Sequence, residues 1–200
     1  MIDGESAESR PRARALSPTE RRAAIIGAVI PVLQEKGVAV TSRDLAEAAG
    51  VAEGTLFRAF GTKDALIESA VETHLDPRPL VASIHELDPA LTIDDALRNI
   101  IQILHDHFRS IMRLRALVWN HPNAKAQIRT PIVPALAEVL ERYTGTLNIS
   151  ADRLAAFVRM VSMSSAFPML NEGSEFSADE LTRMILRGSI NETHTKGATC

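Results

Sequence analysis

The sequence predicts an all-α protein, and three observations support that prediction. Its 200 residues are 46% hydrophobic and its mean hydropathy is close to zero, so the chain has enough apolar material for one ordinary core or two small ones. Only ten glycines and ten prolines are present, and alanine, leucine, arginine and glutamate, which favour helices, are abundant. No stretch alternates cleanly between apolar and polar residues, which is the pattern of a half-buried strand.

The first predicted element is a helix that follows a polar, arginine-rich arm over residues 1–16, which we expect to be disordered. The string "SPTE" predicts a capping box, in which Ser17 caps the helix and Glu20 stands three residues later. Gly37 marks the end of this helix. Pro31 lies inside it, and we expect the missing amide proton to kink the helix.

The apolar run in this first helix, "RRAAIIGAVIPVLQEKG", imitates a secretory signal, but it is too short to span a bilayer and its apolar residues fall on a helical stripe. We therefore expect no membrane partner. The one cysteine, Cys200, leaves no partner for an internal disulfide and fits a reducing compartment. Together these observations predict a cytoplasmic protein.

Three short helices are predicted next, over residues 42–49, 52–59 and 63 to about 74. The string "DPRP" then carries two prolines that prevent the third helix from continuing, so we place a domain boundary there. The predicted division is a first domain over residues 17–76, a second domain over residues 77–188 and a loose tail over residues 189–200.

The second domain shows longer helical patterns, most of which begin at a cap or a proline. In chain order they are a helix from Thr92 to about residue 112, a shorter helix that carries Trp119, a helix after the prolines of "TPIVPALAEVLERY", a helix from Ser150 to Leu170, and a final helix that starts at a capping box of Ser177 and Glu180.

The stretch "SRDLAEAAGVAEGTLFRAFG" reads as two helices joined by a tight turn. Gly50 stands where such a turn needs a positive φ, and Ala46 is small where the second helix crosses the first. This is the helix-turn-helix pattern. The apolar residues that would face one another across the joint are Leu45, Ala49, Val51 and Leu56.

The outward face of the second of these helices would carry small or polar residues and one cation, namely Glu53, Gly54, Thr55, Arg58 and Ala59. A helix that enters the major groove of DNA needs such a face, because bulky apolar side chains would hold its backbone away from the bases. Residues 9–63 carry nine basic and five acidic side chains, although the whole chain has a net charge of -3, so the positive charge is local.

Residues 19–75, and above all "TSRDLAEAAGVAEGTLFRAFGTKDALI", resemble the DNA-binding domain of the TetR family of bacterial transcriptional regulators. The resemblance implies a three-helix head that binds double-stranded operator DNA, and a larger C-terminal domain that dimerises and binds a small effector. The residues that we expect to contact DNA are Ser42, Arg43, Glu53, Gly54, Thr55, Phe57, Arg58 and Lys63.

Two positions depart from the family pattern, which typically has a tyrosine at the position of Phe57 and a histidine at that of Ala59, both of them phosphate contacts. Loss of each hydrogen bond would weaken DNA binding by about 1 kcal/mol. Ala52 also replaces a serine that would cap the helix. Two functions therefore stay open: a ligand-responsive repressor, and a helical small-molecule binding or scaffold protein that reads DNA weakly or not at all.

The bulky apolar residues of the second domain have two interpretations. They form either an ordinary core or an adaptable cavity for a small apolar or planar effector, which a hydrogen bond from His105 or Tyr143 would orient. The other candidate effector contacts are Phe108, Met112, Trp119, Met160, Met163 and Phe167.

A metal site and a catalytic site are not expected. His105 and His107 point about 200° apart on a helix and cannot chelate one ion together, so we expect a pair at the surface or at a pocket edge. The sequence contains no recognisable nucleophile motif or phosphate-binding loop, and we expect neither an enzyme nor a cofactor.

A dimer is expected because the second helix of one helix-turn-helix, the reading helix, contacts too few bases for useful specificity. Two heads related by a two-fold axis would match a palindrome. We expect the last two predicted helices to form a four-helix interface across that axis. The helix over residues 63–74 would act as the switch, since one end bears on the reading helix and the other on the effector cavity. An effector would thereby spread the heads and release a repressed promoter.

Overall fold

The computed structural model describes residues 16–114, 117, 131–167 and 175–189. All regular elements in these residues are helices, which confirms the predicted fold class. Short 3-10 turns, Gly37–Ala39 and Glu141–Tyr143, follow the first and the seventh α-helix. The α-helices in chain order are α1 (Pro18–Lys36), α2 (Ser42–Ala48), α3 (Glu53–Phe60), α4 (Lys63–Leu75), α5 (Arg78–His85), α6 (Ile93–Arg113), α7 (Ile132–Leu140), α8 (Ala151–Ala166) and α9 (Ala178–Ser189).

Several helices begin where the sequence predicts a cap. At α1 the Ser17 amide donates to the Glu20 carboxylate at 2.7 Å and the Glu20 amide donates to Ser17 Oγ at 3.2 Å, which completes the predicted capping box. The box predicted at Ser177 is likewise present before α9. Gly37 ends α1 with a φ of 55°, in the left-handed region that favours glycine. The helix continues without a break across Pro31.

Two helix boundaries of the second domain differ from prediction. No helix is predicted between "DPRP" and Thr92, but α5 forms there and begins at Arg78 within that string, because a proline in the first turn lacks only an amide proton that the helix does not use. The helix predicted to reach Leu170 ends at Ala166, since Phe167 precedes Pro168 and takes an extended conformation with φ -108° and ψ 102°. The helix predicted around Trp119 lies outside the described residues.

The helices enclose two apolar cores. The head core lies between α1, α2, α3 and α4, and Leu33, Leu45 and Leu66 are among its most deeply buried side chains. The second core is built from α5 to α9 and is centred on residues such as Ile100 and Leu136, which are 0% exposed. In it, α6 packs on both α8 and α9. Apart from the end of α6, each core is built from helices that follow one another in the chain.

The C-terminal end of α6 joins the two cores. Leu114, which directly follows α6, is 1% exposed and belongs to the head core. One turn earlier, Gln34 Nε2 of α1 donates to Ser110 Oγ at 3.0 Å, and the same Oγ lies 3.0 Å from His74 Nε2 of α4. Apolar packing and polar contacts thus hold α1, α4 and α6 together.

We expect mild acid to destabilise the protein through His107, which is half-buried on α6 close to His74. Burial, with a smaller contribution from the neighbouring His74, lowers the pKa of His107 to about 4 from an ordinary value of 6.5. Between these two pH values the unfolded chain binds a proton that the folded chain does not. The free energy of unfolding therefore decreases as the pH falls through this window.

Urea unfolding of the wild type and of His107→Gln at about pH 7 and about pH 5 measures this effect. The wild type should lose about 1 to 3 kcal/mol more than the variant on acidification. Equal losses in the two proteins, or an imidazole NMR titration of His107 centred at the ordinary value of 6.5, would contradict the assignment.

Candidate nucleic-acid interface

The predicted helix-turn-helix forms from α2 and α3. Two backbone hydrogen bonds close the turn, from the Gly50 amide to the Glu47 carbonyl at 3.1 Å and from the Val51 amide to the Ala46 carbonyl at 3.0 Å. Gly50 has a φ of 63°, which confirms the predicted positive φ and explains why a residue without a Cβ stands here. The turn fixes the direction in which α3 leaves α2.

The inner face of α3 is buried in the head core. Leu56 is 3% exposed and Phe60 is 8% exposed, and both belong to the same cluster as Leu45 of α2. Ala49 and Val51 are half-buried against this core, as the predicted joint requires. An eight-residue helix is not stable alone in water, so this burial is what keeps α3 helical.

The outer face of α3 is accessible, but two of the five residues predicted to face outward are half-buried. Its exposed residues are Glu53, Gly54, Phe57 and Arg58. Thr55 is half-buried. Ala59, predicted to face outward, is instead half-buried against the head core, because it lies three residues after Leu56 and so shares the buried side of the helix.

Two exposed residues of α3 do not favour the stability of the helix itself. Phe57 leaves an apolar ring 42% exposed. Gly54 lowers helix stability by about 1 kcal/mol relative to alanine, although a Cβ added at this position would meet nothing within 4 Å. The internal packing therefore gives no reason for a glycine here.

Arg43 is exposed at the start of α2, next to a tightly bonded cap. The Thr41 amide and hydroxyl donate to the Asp44 carboxylate at 2.8 and 2.7 Å, and Lys36 Nζ donates to the same carboxylate at 2.6 Å. These bonds, and above all the one from Lys36, hold the pKa of Asp44 well below its usual range. Ser42, predicted to contact DNA, is half-buried beside Arg43.

Lys63, another predicted DNA contact, has a partner inside the protein. Its Nζ donates to the Val40 carbonyl at 3.1 Å, and its side chain is half-buried at the start of α4. An ammonium group carries three protons, so this bond leaves others for a phosphate at the positive end of the helix. Thr62 caps that end, because its Oγ1 accepts from the Ala65 amide at 3.1 Å.

Comparison with known proteins agrees with this geometry. Residues 25–70 match the family model described as bacterial regulatory proteins, tetR family. Over 180 residues the chain is 34% identical to the HTH-type transcriptional repressor Rv3405c of Mycobacterium tuberculosis, and the alignment covers 88% of this chain and 89% of that relative. The chain belongs to the TetR family.

Two solved structures share the fold of this TetR-family chain. The TetR transcriptional regulator SCO0520 from Streptomyces coelicolor superposes with a TM-score of 0.55 at 22% identity, over 86% of this chain and 99% of that one. A transcriptional regulator from Rhodococcus sp. Rha1 superposes with a TM-score of 0.61 at 22% identity, over 84% of this chain and 97% of that one.

In the part of this chain that the structure describes, no helix combines the length and the apolar character needed to cross a membrane.

Two residues expected to orient an effector in this TetR-family protein are bonded to the protein itself. Tyr143 Oη donates to the Leu91 carbonyl at 2.8 Å and so anchors the segment before α6. His105 is 1% exposed rather than at the surface, and its Nε2 lies 2.6 Å from Ser165 Oγ. Burial, with a smaller contribution from Arg109, lowers the pKa of His105, so the imidazole is neutral at neutral pH.

The other candidate effector contacts lie at different depths. Phe108 is buried, at 6% exposure. The half-buried candidates are Met112, Met163 and Phe167. Met160, predicted for the interior, is 54% exposed, because it lies two residues after the buried Val158 and so on the opposite side of α8. Trp119 lies outside the described residues.

Contacts between residues far apart in the chain could not be predicted from the sequence pattern. Arg22 of α1 donates a hydrogen bond to the carbonyl of Ala59 in α3, 37 residues away. His105 and Ser165 are paired across 60 residues of sequence. Helical periodicity predicts which side of each helix is apolar, but it does not predict which polar side chains meet between helices.

Proposed function

We propose that this protein is a ligand-responsive transcriptional repressor of the cytoplasm, which binds a palindromic operator as a dimer, is released by a small-molecule effector and has no catalytic activity. The observation that carries the proposal is the exposed face of α3, backed by the burial of Leu56 and Phe60. Membership of the TetR family and a relative named as a transcriptional repressor support it.

The exposed side chains of α3 suit the major groove of DNA. The guanidinium group of Arg58 can bond both O6 and N7 of a guanine, and the ring of Phe57 can contact the methyl group of a thymine. Gly54 allows the backbone to approach the base edges. Arg43, exposed at the start of α2, is available to neutralise a phosphate and fix the register of the head.

The dimer interface is proposed on α8 and α9. Phe157 and Met160 of α8 are 43% and 54% exposed, and Met184 of α9 is 60% exposed. Phe157 and Met160 are three residues apart and therefore lie close together on one side of α8. Exposed apolar side chains grouped in this way mark a surface that another protein covers, and a two-fold axis would pair the same patch on both subunits.

The effector site is proposed beside His105, where polar atoms lie within the second core. Ser165 Oγ lies 2.6 Å from Nε2 of His105 and 3.2 Å from the Ser162 carbonyl oxygen, so an imidazole and a hydroxyl group meet inside this core. Ser162 is 0% exposed, and its Oγ has no hydrogen-bond partner among the described residues. Because a buried hydroxyl without a partner is costly, we infer an apolar or planar effector that carries a hydroxyl group.

The switch is proposed to be α4, which packs against α3 and contacts α6 through the pair His74 and Ser110. Since α6 also carries His105, an effector beside His105 would displace α6 and with it the end of α4. The effector must bind the displaced arrangement more tightly than the original one to have any effect.

The distance between spin labels on the two α3 helices of the dimer tests this switch. A distance that does not change when the effector binds would refute it.

Selection of bound fragments from the genomic DNA of the source organism, with the full chain as bait, tests the DNA-binding proposal. We expect a palindromic sequence. The logarithm of the binding constant should fall linearly with the logarithm of the salt concentration, with a slope of about -0.9 for each phosphate contact. Binding to no preferred duplex would favour a helical small-molecule binding or scaffold protein, and the phosphate contacts missing at Phe57 and Ala59 would explain that result.

Gly54→Ala separates DNA contact from helix stability. An added methyl group should raise the free energy of unfolding by about 0.5 to 1 kcal/mol, and it should lower operator affinity at least about tenfold, because it holds the backbone away from the bases. Gly27→Ala in α1 is the matched control, since a Cβ there also meets nothing within 4 Å. It should stabilise the protein without a change in affinity, and equal affinities of the two variants would contradict the role of Gly54.

The double variant Phe157→Glu with Met160→Glu should be a monomer, because each dimer would bury carboxylates in an apolar interface. Sedimentation equilibrium of the full chain measures the mass. Val38→Glu is the control, since Val38 is an apolar residue of the head that is 66% exposed, and this variant should keep the mass of the wild type. A double variant that remains dimeric would exclude this face of α8 as the interface.

Matched pairs of a small aromatic alcohol and its parent hydrocarbon, such as a naphthol and naphthalene, test the effector site. The alcohol should raise the Tm more than the hydrocarbon does. Ser162→Ala should abolish this difference and leave the free protein at least as stable as the wild type, because it removes an unpaired buried hydroxyl. A difference that persists in Ser162→Ala, or none in the wild type, counts against the hydroxyl subsite.

A further inference from the structure

Arg22 connects α1 to the end of the helix that is proposed to read DNA. From the exposed surface of α1, its Nη1 donates a hydrogen bond to the Ala59 carbonyl in the last turn of α3. Its guanidinium carbon lies 4.2 Å from the centre of the Phe60 ring. One side chain thus contacts two consecutive residues of α3, by a hydrogen bond and by a cation–π contact.

The physical chemistry of helix ends explains what this contact does. The last four carbonyl groups of a helix lack partners within the helix and carry partial negative charge, so a cation beside them is stabilising. At the other end of α3, Ala52 has no side chain that can cap the helix. Arg22 therefore holds the C-terminal end of a helix whose N-terminal end has no side-chain cap.

We propose that Arg22 is a positioning residue for DNA recognition, which sets the direction of α3 in the groove. The proposal rests on the proposed DNA-binding function. The guanidinium group bonds a carbonyl oxygen of α3 and stacks on one of its rings, so its charge acts on α3 itself. Its loss should change which base edges Arg58 reaches, and should therefore lower sequence discrimination more than affinity for arbitrary DNA.

Arg22→Ala and Arg21→Ala form a matched pair, because each removes one positive charge from neighbouring exposed positions of α1. Binding of the full chain is measured on the selected operator and on a duplex of scrambled sequence. Arg22→Ala should lower the ratio of the two affinities at least about tenfold and leave the salt slope unchanged, whereas Arg21→Ala should keep the ratio. If Arg22 instead contacts a phosphate, Arg22→Ala should lower both affinities alike and make the salt slope less steep by about 0.9. That result would overturn the proposal.

Two conservative variants separate positioning from a general loss of fold. Arg22→Lys keeps the cation but not the planar fork, so it should recover part of the discrimination. Phe60→Leu keeps an apolar side chain in the core but removes the ring face, so it should lower the affinity ratio in the same direction as Arg22→Ala. Full discrimination in both Arg22→Ala and Phe60→Leu would sink the proposal.

Hydrogen exchange without DNA distinguishes failure of this proposal from failure of DNA binding. Arg22→Ala should speed amide exchange in α3 at least about tenfold relative to Arg21→Ala, with no change in α8. If the wild type selects no duplex but α3 shows this change, the DNA-binding function fails and the positioning of α3 by Arg22 stands. If exchange and discrimination are both unchanged in a protein that binds its operator normally, the positioning role is wrong.

Discussion

The burial of Leu56 and Phe60 is the constraint on which the rest of the structure depends. The helix α3 has eight residues, too few to persist alone, and Ala52 provides no cap at its start. The left-handed turn at Gly50 and the contact from Arg22 direct α3 only when these two side chains already lie in the head core. The outer face therefore exists as a rigid surface only because the inner face is buried.

The outer face of α3 differs from what stability alone would favour. Alanine would be more stable than Gly54, and a polar side chain would be better hydrated than Phe57. The opposite face is buried in the head core through Leu56 and Phe60. These departures on one side of α3 support the proposal that a partner contacts that side. The unpaired hydroxyl of Ser162 is a departure of the same kind, located in the second core.

Interactions within a few residues made much of the fold predictable. The capping boxes at Ser17 and Ser177 and the turn at Gly50 depend only on near neighbours, and all three form as predicted. The position of Ala59 was predictable too, since its spacing from the buried Leu56 places it inward, but the helix-turn-helix pattern alone did not reveal this. Contacts such as that of Arg22 with Ala59 join residues far apart in the chain, so no periodic pattern in the sequence predicts them.

The end of α6 gives the two cores a shared boundary. Because Leu114 is buried in the head core, α6 cannot shift within the second core without disturbing the packing of α1 and α4. Close-packed interiors do not deform continuously, so such a shift occurs between discrete arrangements. The bonds of Ser110 to Gln34 and His74 are directional and would differ between those arrangements. A change in the second core would therefore reach the head through α6 directly, in line with the proposal that α4 converts such a change into movement of α3.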